Sequence, residues 1–95
     1  MRFEWDAAKA AGNLAKHEVP FELATEVWDD PLHVILADRI ENGEQRWHAI
    51  GLVGAVVILV VAHSHPDAND DELVRIISAR RATKQERRRY EQEDA

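Results

Sequence analysis

The fold of this chain is decided by residues 32–62, which read LHVILADRIENGEQRWHAIGLVGAVVILVVA. Leu32 to Ile40 and Gln45 to Leu52 are rich in apolar and β-branched residues and predict two strands. Between them lies Asn42-Gly43, the pair that a two-residue hairpin turn prefers because both positions need positive φ. We therefore expect the two strands to be antiparallel neighbours.

Two more strands are expected after this hairpin. Val53-Gly54 predicts a second tight turn, and Ala55 to Ala62 is the continuous apolar run that is typical of a central strand. His63 to Asp71 is polar and is interpreted as a loop. Glu72 to Arg80 predicts the last strand, whose side chains should alternate between two faces: Val74, Ile76 and Ser78 against Arg75, Ile77 and Ala79.

The N-terminal third predicts two helices. Arg2 to Trp5 could form a short strand, and Asp6 suits the N-cap of a helix from about Ala7 to His17. Pro20 suits the first turn of a second helix. Asp29-Asp30-Pro31 should end this helix, because a residue that precedes proline rarely adopts the helical conformation.

The C-terminal segment predicts a polar helix. Thr83-x-x-Glu86 is a capping box that would start it near Lys84, and Tyr90 is its only large apolar side chain. The complete pattern is that of an α+β fold. It has a central antiparallel sheet of about four strands, two N-terminal helices and a basic C-terminal helix.

Size and composition indicate one globular domain, residues 1–95. Hydrophobic residues make up 45% of the chain and charged residues 32%, which is the balance of a folded protein. Without cysteine, neither a disulfide nor a thiolate metal ligand is available. The N-terminus lacks an apolar signal, and the run from Ala55 to Ala62 is too short to span a bilayer. We expect a cytoplasmic protein with no membrane partner.

The net charge of −6 is unevenly distributed along the chain. Residues 1–74 carry five basic and fourteen acidic side chains, a net charge of −9. Residues 75–89 carry seven basic side chains and one acidic side chain, a net charge of +6, and the last six residues return to −3. A dense basic segment attracts polyanions or an acidic protein surface, although it could equally be a solvated helix face.

Short motifs along the chain resemble those of the BrnT family of type II toxins. The first third contains Phe3-Glu4-Trp5-Asp6, Lys9, Asn13, Lys16-His17, Phe21-Glu22 and Asp30-Pro31. The remainder contains Gly43-Glu44-x-Arg46, Ile50-Gly51, Arg75-Ile76-Ile77-Ser78-Ala79-Arg80 and Glu86-Arg87-x-x-Tyr90-Glu91. The resemblance covers nearly the whole chain, and the ordered combination is specific although each fragment alone is weak.

This resemblance implies a fold similar to the RelE-like bacterial ribonuclease toxins and a metal-independent cleavage of RNA that inhibits translation, with no cofactor. It also implies an antitoxin partner similar to BrnA, a ribbon-helix-helix protein that neutralises the toxin. The complex would repress its own operon and touch operator DNA only through the antitoxin, and a dimer within the complex is one arrangement that the resemblance allows.

One segment departs from the family pattern, in which the central strand leads to a hydroxyl residue followed by an arginine. His63-Ser64-His65-Pro66 keeps the hydroxyl, but no arginine follows until Arg75. If that arginine normally steadies the phosphate, this chain must use His65 or another basic group, or be a weaker enzyme.

Metal-free RNA cleavage needs a base, an acid and cationic donors for the phosphate. Two-residue turns would place Arg46 opposite Arg39 and Val61, and Glu44 opposite Glu41 and His63, so that Glu44, Arg46 and His63 form a polar corner beside Arg39 and His48. Arg46 and His63 on opposite faces would contradict this. The candidate catalytic residues are His63, Arg46, Arg80, Glu86 and Tyr90, and the candidate RNA-binding residues are Arg75, Arg81, Lys84, Arg87 and Arg88.

Each catalytic candidate also has a structural interpretation. His63 could satisfy backbone groups, Arg46 could pair with Glu44 or Asp38, and Arg80 could be a structural edge residue. Glu86 belongs to the capping box, and Tyr90 could anchor its helix. His63-x-His65-x-Asp67 has the spacing of metal ligands, but Pro66 and the polar loop indicate that the strand has ended, so no metal site is predicted.

Two functions of different classes follow. The first is an endoribonuclease toxin. The alternative is a non-catalytic antitoxin-binding subunit of an autoregulatory DNA-binding repressor complex, which the acidic remainder of the chain and the missing loop arginine favour. In either case the basic helix suits an acidic antitoxin segment, and RNA and antitoxin could compete for its charges. A module that binds duplex DNA alone is poorly supported, because most of the chain would repel it.

Overall fold

The computed structural model describes residues 1–93; residues 94 and 95 of the predicted domain lie outside the described residues. The chain begins with β1 (Arg2–Glu4), α1 (Ala7–His17), α2 (Phe21–Ala24) and a 3-10 helix (Thr25–Asp29). It continues with β2 (Val34–Glu41), β3 (Glu44–Val53), β4 (Val57–Ser64), β5 (Leu73–Arg81) and α3 (Lys84–Glu93).

The strands form one sheet in the order β1-β5-β4-β3-β2. Strands β2 to β5 pair antiparallel, whereas β1 pairs parallel with β5 and aligns Phe3 with Val74. The α+β class is confirmed. The sheet has five strands instead of about four and is mixed, because the N-terminal strand extends it beyond β5.

The first hairpin has the predicted two-residue turn. Asn42 and Gly43 have φ values of 53° and 76°, and Glu41 pairs with Glu44. Farther along β2 the register shifts between Ala37 and Ile40, so that residues 38–39 together lie opposite Arg46. The predicted simple pairing of Arg46 with Arg39 is therefore replaced by a bulge.

The prediction for the second turn is wrong. Val53 pairs with Val57, so the turn holds three residues, 54–56, and positive φ occurs at Gly54 (62°) and Ala55 (56°). As a result, Trp47 lies opposite His63 and Ala49 opposite Val61. The register differs from the predicted one by three positions, and an odd shift exchanges the faces of the sheet.

Strand β5 contains a bulge that changes its predicted alternation. His63 pairs with Ile76, but Ala62 pairs with Ser78, so Ile77 is the extra residue. Ala79 consequently joins Val74 and Ile76 in the main core, while Ser78 and Arg80 lie on the other face. The prediction that Ser78 shares a face with Val74 and Ile76 is wrong for this reason.

The main core lies between the sheet and the N-terminal helices, on the side that we call the α1 face. Phe21, Ala24 and Val27 are fully buried there. The 3-10 helix approaches β3 at Gly51, where a Cβ atom would lie only 2.8 Å from Val27 Cγ1. Glycine at this position therefore permits the helix to pack directly on the strand.

Helix α1 is bound to the sheet by a buried amide. Asp6 caps α1 as predicted, with the Lys9 N–H 3.0 Å from Asp6 Oδ2. Asn13 Oδ1 accepts a hydrogen bond from the Ala79 N–H at 3.1 Å, and Asn13 Nδ2 donates to the Ala79 carbonyl at 2.9 Å and the Val19 carbonyl at 3.0 Å. Because β1 pairs only with residues 73–75, Asn13 continues the pairing of β5 beyond the end of β1.

Helix α3 packs on the opposite side, the α3 face, over a smaller core. Tyr90 is buried there with Ile50 and Val60. The predicted capping box is present, because the Thr83 N–H lies 2.9 Å from Glu86 Oε1 and the Glu86 N–H lies 3.2 Å from Thr83 Oγ1. Within residues 1–93, no helix combines the length and apolar character that a membrane span requires.

Candidate active site

The predicted polar corner is wrong, because the sheet separates its members. Trp47 faces His63 across β3 and β4, so Arg46 and His48, which alternate with Trp47, lie on the other face. Arg80 pairs with Val60 and lies on that same α3 face. The structure therefore brings Arg46, His48 and Arg80 to the α3 face and leaves His63 on the α1 face.

His63 is a buried core residue in this structure. The residue is only 1% exposed. Its ring lies edge-on to the ring of Trp28, with centroids 4.9 Å apart, and its Nδ1 is 3.1 Å from the Val61 carbonyl oxygen. Burial lowers the pKa of His63 to about 4, so the ring is neutral near pH 7. This placement fits the structural interpretation of His63 and removes it from the surface that RNA can reach.

A cleft of about 530 Å³ separates α3 from the strands β2 and β3. The strands supply Leu36, His48 and Ile50, so one wall is mostly apolar and carries a single imidazole. The helix side supplies polar and charged groups: Thr83, Gln85, Glu86, Arg88, Arg89 and Gln92. An imidazole, a carboxylate and two guanidinium groups in one cleft are the group types that metal-free phosphodiester cleavage uses.

His48 is the titratable group on the sheet side of this cleft. Its Nε2 lies 3.4 Å from Asp38 Oδ2, and the two side chains are 29% and 35% exposed. A carboxylate beside an imidazole fixes the ring orientation. The sequence predicts His48 beside the polar corner but not among the catalytic residues. The signal was Arg46-x-His48, which puts both side chains on one face whatever the register of the neighbouring strand.

Arg80 and Glu86, two of the candidate catalytic residues, form a two-pronged ion pair. Arg80 Nη1 lies 2.6 Å from Glu86 Oε1, and Nη2 lies 2.9 Å from Oε2. The hydrogen bonds from Arg80 are the main reason that the pKa of Glu86 falls to about 2, and the same bonds raise the pKa of Arg80. A carboxylate held this strongly in its charged form is a weak base, and the pair ties the start of α3 to β5.

Arg46 is largely enclosed at the end of the α3 face. Its side chain is 19% exposed, and Nη1 lies 3.6 Å from Glu41 Oε2, so its partner is Glu41 instead of Glu44 or Asp38. Within residues 1–93, the buried atoms Arg46 Nε and Ser64 Oγ have no hydrogen-bond partner. Continuing the β3–β4 register by one residue places these two side chains across from each other. Buried polar groups are normally satisfied, so these two atoms are exceptions among the described residues.

Tyr90 anchors α3 on the sheet. Its residue is 7% exposed, and its hydroxyl donates to Asp30 Oδ2 at 2.6 Å. Asp30 also accepts from the Leu52 and Leu32 N–H groups. Burial alone would raise the pKa of Asp30, but these hydrogen bonds outweigh it and lower the pKa. This network fits the structural interpretation of Tyr90.

Of the five predicted RNA-binding residues, four lie around α3 and Arg75 lies apart from them. Arg75 is paired with Glu4, 2.9 Å from Nε to Oε2, at the β1 edge. Arg81, Lys84, Arg87 and Arg88 are exposed around α3, and within the described chain none of their side chains forms an ion pair. Arg88 lines the cleft, whereas Arg81 and Arg87 lie on the other side of the helix.

The spacing His63-x-His65-x-Asp67 does bring two imidazoles together. The rings of His63 and His65 meet edge-on with centroids 5.7 Å apart, and His65 Nδ1 lies 3.2 Å from the Leu73 carbonyl oxygen. In the described part of the chain, no three histidine, cysteine, aspartate or glutamate side chains are grouped as metal ligands.

Comparison with known proteins identifies relatives of this chain. The family described as "Ribonuclease toxin, BrnT, of type II toxin-antitoxin system" matches residues 5–86. The crystal structure of the ribonuclease toxin BrnT from Brucella abortus is similar to this one, with a TM-score of 0.70 and 26% sequence identity. The match covers 88% of this chain and 99% of that chain. No curated protein sequence matches the chain.

Proposed function

The chain belongs to the BrnT family of ribonuclease toxins of type II toxin-antitoxin systems, and we propose that it is a metal-independent endoribonuclease whose active site is the cleft between α3 and β3. The observation that carries this proposal is the joint lining of that cleft by His48, Glu86 and Arg88. Cleavage of cellular RNA at this site would inhibit translation.

The proposed reaction is attack by the 2′-oxygen of RNA on the adjacent phosphorus. The bond from phosphorus to the 2′-oxygen forms and the bond to the 5′-oxygen breaks, which leaves a 2′,3′-cyclic phosphate and a 5′-hydroxyl. His48, oriented by Asp38, is placed to transfer a proton at one of these two oxygens. The charge on the phosphate is stabilised by arginines on the α3 face and on α3 itself.

The arginines of the proposed active site have different roles. Arg88 meets the phosphate directly, because it lines the cleft and has no ion-pair partner within residues 1–93. Arg80 keeps N–H groups beyond those bound by Glu86, and Glu86 serves to position it, since a pKa of about 2 makes Glu86 a poor proton acceptor. Arg46 lies at the far end of the same face, where it pairs with Glu41.

The test incubates the purified protein with RNA of mixed sequence in excess EDTA. We expect cleavage to persist and its products to carry 2′,3′-cyclic phosphate ends. Replacing His48→Gln should lower kcat by a factor of roughly 10² to 10⁴, the usual contribution of a positioned acid or base. The matched control is His17→Gln, because His17 lies on α1 and therefore on the opposite side of the sheet.

Unchanged cleavage by His48→Gln would contradict the assigned site. Loss of cleavage in EDTA, with recovery when a divalent ion is restored, would contradict metal independence. His63→Gln provides an additional comparison, because a folded His63→Gln protein should keep its activity if the buried ring has no part in the chemistry.

The proposed partner is a BrnA-like ribbon-helix-helix antitoxin, which would connect the toxin to operator DNA. The family is defined by a toxin-antitoxin pair, and this is the support for an antitoxin. A non-catalytic subunit of the repressor complex is the second candidate. It is favoured by one observation, that Arg46 and Arg80 already contact Glu41 and Glu86. Intact RNA in every assay, with and without ribosomes, would support that candidate.

A further inference from the structure

Helix α3 separates two concave surfaces of similar size. One is the cleft that contains His48 and Arg88. The other, which we call the back groove, has a volume of about 530 Å³ and lies between α3 and the turn that joins β3 to β4. Its lining is mainly aliphatic, with charged side chains from β5 and α3: Leu52, Val56, Val57, Ile58, Ala82, Arg81, Arg87 and Glu91.

We propose that the back groove is the docking site for an acidic, aliphatic segment of the antitoxin, and that this segment binds without filling the RNA cleft. The inference rests on the proposed function, since it takes the existence of an antitoxin from the family. It adds the place of binding and the chemistry of the segment that binds there.

The apolar part of the back groove suits a protein side chain. Val56 is 87% exposed at the tip of the turn, and Leu52 and Ile58 are only half-buried below it. Adjacent exposed aliphatic groups with a polar rim are typical of protein interaction sites. Single-stranded RNA, in contrast, usually stacks its bases on aromatic side chains, and the residues that line this groove include none.

Three charged residues line the groove, and two of them, Arg81 and Arg87, are basic, so the rim favours an acidic partner. Arg81 and Arg87 are exposed, and in the described residues neither side chain is engaged in an ion pair. Residues 1–74 carry a net charge of −9, so an acidic segment is repelled by most of the chain and attracted to the region around α3. Complementary charge of this kind steers association and fixes the register of a complex.

Helical geometry keeps the two surfaces apart. Successive residues of an α-helix point about 100° apart around its axis, because a turn contains about 3.6 residues. Arg87 therefore lines the back groove while its neighbour Arg88 lines the cleft. The antitoxin segment and the RNA accordingly use different arginines, and direct competition for the same charges is not required.

This adjacency supplies a matched pair of variants, Arg87→Glu and Arg88→Glu. The probe is the antitoxin encoded in the same operon, with binding measured by titration calorimetry and RNA cleavage measured in parallel. We expect Arg87→Glu to weaken antitoxin binding by roughly tenfold or more, since a charge reversal at an interface opposes the complementary charge. It should leave the cleavage rate near that of the parent protein. Arg88→Glu should show the reverse pattern.

A second variant, Val56→Ser, tests the apolar part of the groove. The side chain is almost fully exposed, so its replacement should not disturb folding, and we expect weaker antitoxin binding with unchanged cleavage. Unchanged antitoxin affinity in both Arg87→Glu and Val56→Ser would overturn the proposal, as would an antitoxin that does not bind the parent protein. A selective loss of RNA binding in Arg87→Glu would also overturn it and assign the groove to RNA.

The two proposals fail in different ways. If the parent protein cleaves no RNA, the proposed enzyme function fails, but the calorimetric titrations still decide where the antitoxin binds. If cleavage is normal and antitoxin affinity is insensitive to the back groove, only the docking site is refuted.

Discussion

Acidification is expected to destabilise the protein through one buried side chain, His63. The ring is neutral in the folded protein because burial lowers its pKa from 6.5 to about 4. In the unfolded chain the imidazole regains an ordinary pKa. The unfolded state therefore binds a proton first as the pH falls, and protonation favours unfolding.

The size of this effect follows from the difference between the two pKa values. Stability is lost as the pH falls below 6.5, and the loss is complete near pH 4, where the folded protein also becomes protonated. The full difference corresponds to about 3 kcal/mol, at 1.36 kcal/mol per pKa unit. Between about pH 7.5 and about pH 5, we expect a loss of about 2 kcal/mol from His63.

Two carboxyl groups with lowered pKa values do not contribute to the change in stability expected between about pH 7.5 and about pH 5. Asp30 and Glu86 have ordinary pKa values of 3.8 and 4.5, and their pKa values are lowered in the folded protein. Their contribution to stability is present above those ordinary values and is lost only as the pH falls below them. Above about pH 5 these two carboxyls therefore add little pH dependence. A difference in pH dependence between the parent protein and a His63 variant can then be assigned to His63.

The assay is urea unfolding at several pH values, followed by far-ultraviolet circular dichroism, for the parent protein and for His63→Leu. Leucine retains an apolar side chain in the pocket beside Trp28 but cannot bind a proton. We expect the parent protein to lose more stability than the variant over the stated range. Equal pH dependence in the two proteins would refute the argument that His63 is buried in its neutral form.

The remaining predictions concern single contacts. Gly51→Ala should destabilise the protein by about 1–3 kcal/mol, because the new Cβ would overlap Val27, whereas Gly12→Ala should stabilise α1 by about 0.5–1 kcal/mol, because it meets nothing within 4 Å. Asn13→Leu should cost at least about 2 kcal/mol, since the backbone groups that Asn13 bonds would remain buried and unsatisfied. Tyr90→Phe should cost about 1–2 kcal/mol and increase hydrogen exchange in α3, because the variant lacks the hydroxyl that donates to Asp30.

Denaturant unfolding checks the energies, and amide exchange checks the Tyr90 prediction. Equal stability of the two glycine variants would contradict the close approach of the 3-10 helix to β3. An Asn13→Leu protein as stable as its parent would mean that the amide does not hold α1 to β5. Exchange that rises uniformly, and not selectively in α3, would contradict the anchoring role of Tyr90.

Elements with complete local signals could be predicted closely from the sequence. Asp6 supplies the cap of α1, and the helix begins at the next residue. Asn42-Gly43 supplies both positive φ values of the first hairpin. Thr83 and Glu86 supply both hydrogen bonds of the capping box. In each case the residues that determine the geometry are neighbours, so no distant contact is needed to interpret them.

The second turn lacked such a signal. Its extra residue depends on positive φ at Ala55, a conformation that costs energy for a residue with a Cβ atom. Nothing in the local sequence distinguishes a three-residue turn from the two-residue turn at Val53-Gly54. The bulge at Ile77 is similar, because it is set by the pairing of β5 with β4 and not by residues adjacent to it.

These two errors affect the candidate site unequally, and the reason is geometric. Arg46 and His48 lie on one strand, two residues apart, so every register keeps them on the same face. His63 was joined to Arg46 only through the length of a turn, and one additional residue changes which face it shares. The predicted capping box brings Glu86 back to the end of β5, where it meets Arg80. A polar site predicted from sequence is therefore most secure where its members share a strand or a cap. By the same reasoning, His48, on the strand of Arg46, is a better candidate for proton transfer than His63, which lies across a turn.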